Sequence, residues 1–257
     1  MRINTNVGAL NSAKNAFVNT MASESSMRKL SSGLRISRAG DDAAGLSIAN
    51  KLRAQSRSLT VASANAEQGS AMLQIAEGSA ATIQKILERQ KELVIQREST
   101  GNNSSVTATL NAEISTLSSE VDRIITSTNF QGSAVFTSLG FQVSDGSSGG
   151  TVSVNAALTS STVSLAGTAS ISTVDTALTA INSVLANIGA GQNRLDYTVQ
   201  NLKAAVVNVK AAESTIRDVD MAEEMATYTK NSILTQAAQA MLAQANQSSQ
   251  SVLSLLR

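Results

Sequence analysis

A run of twelve positions in the C-terminal half constrains this chain more than any other feature. Leu178, Ile181, Leu185, Ile188, Gln192, Leu195, Val199, Leu202, Val206, Val209, Glu213 and Ile216 follow one another in alternating steps of three and four, and ten of them are aliphatic. A mean step of about 3.5 residues holds such side chains on one side of a helix, and a stripe that narrow needs a partner helix. The helical pattern then continues with little interruption toward Arg257. A chain of this build is suited to work by packing before chemistry.

Composition supports long helices. The 257 residues include no proline, cysteine, histidine or tryptophan. Proline breaks helix interiors, so its absence favours uninterrupted ones. The hydrophobic fraction is 42% while aromatics are 2%, so the core must be aliphatic and alanine-rich. Without histidine or cysteine the common acid–base, nucleophilic-dyad and thiolate-metal arrangements are missing, so no catalytic, cofactor-binding or metal residues are expected. Asp41 with Asp42, and Glu223 with Glu224, are adjacent and diverge by about 100° on a helix, which suits capping and solvation rather than paired acid–base work. The glycine-rich stretch 145–150 lacks the lysine of a phosphate loop and reads as a hairpin turn.

A net charge of +1 argues against a general nucleic-acid binder. No apolar stretch approaches the length of a membrane span, and no apolar block follows Met1–Asn6 as a secretory signal requires. Taken alone, that reads as cytosolic. The charges are unevenly spread. Residues 1–38 hold Arg2, Lys14, Arg28, Lys29, Arg35 and Arg38 against Glu24, while 218–224 holds Asp218, Asp220, Glu223 and Glu224 without a base. Two solvated faces would explain this, and so would an antiparallel return of the chain that brings the blocks together. Such pairs contribute about 0–1 kcal/mol each, enough to tune register.

Along the chain, Ile3, Val7, Leu10, Phe17, Met21, Met27 and Leu30 form an approximate helical stripe. The pattern loosens at Ser31–Gly33 and Ala39–Gly40, and Asp41 and Asp42 mark a helix start. Ala43 to about Arg97 reads as helix, with Met72, Ile75, Ala76, Ile83, Ile86, Leu87, Leu93 and Val94 as its clearest stripe. After a turn at 100–105, Val106, Leu110, Ile114, Leu117, Val121 and Ile124 predict another helix. Residues 133–172 are rich in serine, threonine, glycine and valine. There Phe141–Val143 and Val152–Val154 read as a short hairpin. Helix returns from about Thr173 to the end, its last stripe being Leu234, Ala238, Met241, Ala245, Ser248, Val252 and Leu255. The expected fold is mainly α, with long antiparallel coiled-coil helices from both termini and a small β-hairpin region in the middle. Lone terminal helices are marginal in water, so their folding is expected to couple to assembly.

Local words then point to a family. Leu30-Ser31-Ser32-Gly33-Leu34-Arg35-Ile36, followed by Asp41-Asp42-Ala43-Ala44-Gly45, resembles the N-terminal signature of bacterial flagellins, as do Ile3-Asn4-Thr5-Asn6 and Ala66-Glu67-Gln68-Gly69. Leu242–Gln247, Val252–Arg257 and Gln192-Asn193-Arg194 resemble the C-terminal part. The resemblance spans about 1–132 and 175–257. It implies the subunit of a hollow helical filament, with an inner coiled-coil domain at 1–43 plus 217–257 and an outer helical domain at 44–216. The short middle at about 133–172 implies a minimal form. Ser/Thr density there makes O-glycosylation conceivable by composition alone.

The resemblance further implies self-association as a helical homopolymer, contacts with hook-associated and cap proteins, and a cytosolic export chaperone at the C-terminal segment. It implies an extracellular location in the flagellum, reached by the flagellar type III apparatus without a cleaved signal, with no membrane insertion. Val7, Leu10, Phe17, Met21, Leu30, Leu234, Met241, Val252 and Leu255 are the candidate intersubunit packing residues. The family's Toll-like receptor determinants fall on Arg89, Leu93 and Glu113, although Gln90 and Lys91 depart from the usual neighbours and Leu93 also suits a core or packing seam. Gly189 and Gly191 read either as points of give for filament switching or as tolerated glycines. A hook–filament junction protein of the same architecture is the alternative, and an adhesive or signalling module is a rival from another class.

Overall fold

A computed structural model describes residues 6–99, 101, 103–146, 150–165 and 168–255, with side chains as far as residue 248. Ile3, residues 147–149 of the glycine-rich stretch, and the side chains of Val252 and Leu255 lie outside the described residues. The helices are α1 Val7–Ser32, α2 Ala43–Arg97, α3 Ser104–Ser127, α4 Ser160–Val163, α5 Ile171–Arg217 and α6 Met221–Leu255. The strands are β1 Asn129–Phe130, β2 Ser133–Ala134, β3 Ser138–Gln142 and β4 Thr151–Asn155. The mainly α architecture, the helices at both ends and the central hairpin all match the sequence reading. The short α4 was not foreseen. The C-terminal helix is also not continuous: it stops at Arg217 and restarts at Met221. There Asp220 Oδ1 accepts the amides of Ala222 at 2.9 Å and Glu223 at 3.3 Å, the capping that a new helix start requires.

Two compact units divide the chain, Met1–Ala54 with Val209–Arg257, and Gln55–Asn208. In the second unit α3 and α5 both run antiparallel to α2. Lys91 pairs with Asp175 at 2.7 Å, Lys203 with Glu67 at 2.9 Å, and Arg97 reaches Asn111 at 3.2 Å. The hairpin β3–β4 pairs Leu139 with Val154 and Phe141 with Val152. It lies across α2 and α5, held by Asn65 Nδ2 to the Gln142 carbonyl (3.3 Å) and Asn187 Nδ2 to the Asn155 carbonyl (3.2 Å).

The heptad period in α5 is real, but its centre sits one residue from where the aliphatic count put it. Ile181, Ile188, Leu195 and Leu202 are buried as expected. Their buried companions are Val174, Ala177, Val184 and Gly191, whereas Leu178, Leu185, Gln192, Val199 and Val206 are only half-buried. The hairpin covers this flank and demands small residues. A methyl group on Gly191 would meet Val154 Cγ2 at 2.6 Å and Leu73 Cδ1 at 3.2 Å. Gly191 is therefore a site of close packing, while Gly189 faces open space. Gly69 on α2 is the counterpart, its Cα facing the Phe141 ring.

Two other stripes are also corrected. Ile75 and Val106 are exposed rather than buried. In α3, Ser118 and Ile125 occupy the core positions assigned to Leu117 and Ile124. Ser118 earns its place as a polar joint. Its hydroxyl donates to the Leu165 carbonyl and receives Gln90 Nε2 at 3.0 Å, and Gln90 itself is fully buried.

Candidate assembly surface

In the first unit, α1 and α6 pack antiparallel along their length. Asn6 fixes one end: its Oδ1 caps the Ala9 amide (3.1 Å) and its Nδ2 donates to the Ala245 carbonyl (2.9 Å). At the other end Lys29 Nζ lies 3.7 Å from Glu224. The basic and acidic blocks therefore do meet through a return of the chain.

The residues between these ends are unexpected. The covered face of α1 is Ser12, Ala16, Asn19, Ser23, Ser26 and Leu30, and that of α6 is Glu224, Tyr228, Asn231, Thr235, Ala238, Leu242 and Ala245. These follow heptad spacing, yet most are small or polar. Small side chains let two helix backbones approach closely, but they bury little apolar area. Most of the large apolar residues lie outside this seam. Val7, Leu10, Phe17, Val18, Met21 and Met27 on α1, and Met221, Met225, Ile233, Leu234 and Met241 on α6, are all exposed. Phe17 is 66% exposed.

Of the predicted packing residues, the structure thus turns Val7, Leu10, Phe17, Met21, Leu234 and Met241 outward and leaves Leu30 half-covered on the inner face. The candidate set left out Val18, Met27, Met221, Met225 and Ile233. It followed one stripe on α6 that mixes outward Leu234 and Met241 with inward Ala238 and Ala245. Part of the signal was available in residue size: most small and polar residues lie in the seam, although Leu30, Tyr228 and Leu242 lie there too.

The Leu30–Gly45 words form the corner where α1 ends. Gly33 closes the helix in the left-handed region (φ 69°), its amide on the Lys29 carbonyl at 2.8 Å. Beyond it Leu34 bridges Asp218, and the Arg35 amide donates to the Arg217 carbonyl at 2.7 Å. The Arg35 guanidinium reaches the Ile216 carbonyl, also at 2.7 Å. Ile36 is buried. Asp41 Oδ2 accepts the amides of Arg38 (2.9 Å) and Ser37 (3.1 Å), and Asp42 Oδ1 caps α2 through the Gly45 amide at 2.9 Å. Those backbone bonds, Arg38's first, hold the Asp41 carboxyl below its ordinary pKa.

In the second unit, Arg89 and Glu113 are exposed and meet at 3.2 Å, with Glu92 2.9 Å from Arg89. The hydrogen bonds that the guanidinium donates to Glu92 and then Glu113 raise its pKa. Leu93 is 1% exposed and packs in the core, so its side chain presents nothing to solvent. Among the described residues no group of histidine, cysteine or carboxylate side chains could hold a metal ion. No helix among them is long and apolar enough to cross a membrane.

A pair of helices that hides its polar seam and displays its greasy one defines a helical protein built to pack against further helices. Comparison with known proteins narrows that class. The bacterial flagellin N-terminal helical region matches residues 3–139, and the bacterial flagellin C-terminal helical region matches residues 171–256. The flagellin of Bacillus subtilis (strain 168) is 41% identical over 304 aligned positions, covering 100% of both chains. The flagellin of Halalkalibacterium halodurans is 42% identical, again over 100% of both. The flagellar filament 33 kDa core protein of Treponema phagedenis is 37% identical with the same coverage. A crystal structure of Bacillus cereus flagellin is similar at a TM-score of 0.48 and 28% identity, over 54% of this chain and 88% of that one. This chain belongs to the bacterial flagellin family.

Proposed function

We propose that this chain is the structural subunit that polymerises into the bacterial flagellar filament, and so serves swimming motility as a non-enzymatic building block. One observation carries the reading: α1 and α6 pair through small and polar residues and leave Phe17, Leu10, Met21 and Met241 in water. Side chains of that size each gain about 1.5–3 kcal/mol on burial, and only further copies can provide it along the whole pair. A surface that binds a different surface on the next copy repeats without closing and gives a fibre. The relatives named above are flagellins and a filament core protein, which favours the filament over the hook–filament junction alternative.

In this reading residues 1–43 with 217–257 make the inner domain and 44–216 the outer one. The subunit leaves the cell by the flagellar type III route without a cleaved signal. A cytosolic chaperone shields the C-terminal segment until export, and hook-associated and cap proteins contact the ends of the polymer. Electron microscopy of the purified protein tests the core claim. Long uniform filaments support it; persistent monomers or short caps sink it.

A second reading is recognition by the Toll-like flagellin receptor through Arg89 and Glu113. Their exposure and adjacency support it. Leu93 would contribute only by supporting the helix beneath. An Arg89→Ala, Glu113→Ala variant that still polymerises should lose receptor signalling, and full signalling by that variant defeats the idea.

A further inference from the structure

Methionine is placed in this chain with a bias that filament assembly alone does not require. Of seven methionines, Met21, Met27, Met221, Met225 and Met241 are 49–62% exposed, all on α1 and α6, while Met72 in the second unit is 8% exposed. The Asn6–Ala245 and Lys29–Glu224 contacts set a register that puts Met27 and Met225 at the same level of the helix pair. The exposed surface of the helix pair thus carries thioethers at several heights, in a chain that has no cysteine to compete for oxidant.

A thioether is soft and apolar, and fills an interface adaptably. It is also the one side chain on this face that a two-electron oxidant converts to a polar group. With hydrogen peroxide, the sulfur lone pair attacks one peroxide oxygen and the O–O bond breaks. An S–O bond forms, and the departing hydroxide takes the proton of the new S–OH group to become water, leaving the sulfoxide. Sulfur loses two electrons, which reduce the peroxide oxygens. The product sulfoxide carries a strong acceptor that must be desolvated if the face is buried.

We infer that these five methionines are sulfoxidation sites that make assembly sensitive to peroxide-class oxidants: the free subunit is the vulnerable form, and incorporation into the polymer closes the sites. This rests on the proposed function, because a face that stayed in water would gain no protection and lose no packing. One buried sulfoxide without a partner should raise the monomer concentration left at equilibrium by about tenfold, and several by more.

The test uses the full chain and hydrogen peroxide. Sulfoxide at each methionine is mapped by peptide mass spectrometry in free subunit and in polymer, and oxidised subunit is then added to filament seeds. Expected results are rapid oxidation of the five sites in free subunit, protection in polymer, and loss of elongation that a methionine sulfoxide reductase reverses. A variant with Met→Leu at all five positions keeps similar volume; it should elongate both before and after peroxide. Equal oxidation in polymer and free subunit would overturn the buried-face reading of function, and this inference with it. Protection in the polymer with undiminished elongation by oxidised subunit would overturn this inference alone. So would failure of the reductase to restore elongation, which keeps the test decisive even if the leucine variant does not assemble.

Discussion

Gly191 and Val154 approach so closely that a single added methyl on the glycine would sit 2.6 Å from the valine Cγ2. The α5 backbone packs there directly against the Val154 side chain of strand β4. Two glycines two residues apart consequently predict opposite outcomes. Gly191→Ala gains about 1 kcal/mol of helix propensity but must displace Val154 and Leu73, so we expect net destabilisation of about 1–3 kcal/mol. Gly189→Ala meets nothing within 4 Å, and should stabilise by roughly 0.5–1 kcal/mol. Urea unfolding followed by circular dichroism distinguishes the two signs.

The buried Gln90–Ser118 joint gives a second test. Gln90 Nε2 donates to Ser118 Oγ at 3.0 Å and to the Ile114 carbonyl at 3.2 Å, and Ser118 also serves the Leu165 carbonyl. Ser118→Ala strips one acceptor and one donor from a dry site, costing about 1–3 kcal/mol. Because the two side chains act together, Gln90→Leu with Ser118→Ala should cost less than the sum of the single changes. A double-mutant cycle on unfolding free energies reads the coupling directly, and strict additivity would refute it.

Phe17 predicts a separation of folding from assembly. Its side chain is largely exposed in the subunit, so Phe17→Ala should change subunit stability by no more than about 0.5 kcal/mol. Lost burial of about 1.5–3 kcal/mol per intersubunit contact should nevertheless raise the residual monomer concentration about tenfold or more. Sedimentation of polymer from monomer measures it; an unchanged monomer concentration contradicts the outward-face reading.

Asp41 sets a pH dependence. Backbone bonds from Arg38 and then Ser37 lower its folded pKa below the ordinary 3.8. A carboxyl with a depressed folded pKa contributes stability that is present above its unfolded pKa and lost as pH falls through the folded value. The 37–42 corner should therefore hold at neutral pH and loosen below about pH 4. In Asp41→Asn that acid-dependent loosening should vanish. Carboxyl carbon chemical shifts across a pH titration, with amide exchange at Ser37 and Arg38, check both points.

Much of this protein was legible from residue order alone. Three-and-four spacing, the lack of proline and the turn clusters place the long helices, though not the break between Arg217 and Met221, because helix period and backbone sterics are local properties. The Asp42 cap and the Gly33 stop are likewise local, and the Leu30–Gly45 words carried the family.

What spacing could not decide is which side of each stripe faces a neighbour. Leu185 is larger and more apolar than Val184 or Gly191, yet the hairpin's proximity selects the smaller residues for the core. Leu93 sits one helical turn from Arg89, yet α2 packing buries one while the other stays in water. Ser12, Asn19 and Ser26 scarcely look like a seam until α6 is laid beside them. Hydrophobic pattern is a one-dimensional signal. Burial depends on what other segments cover, and only the tertiary arrangement supplies that covering surface.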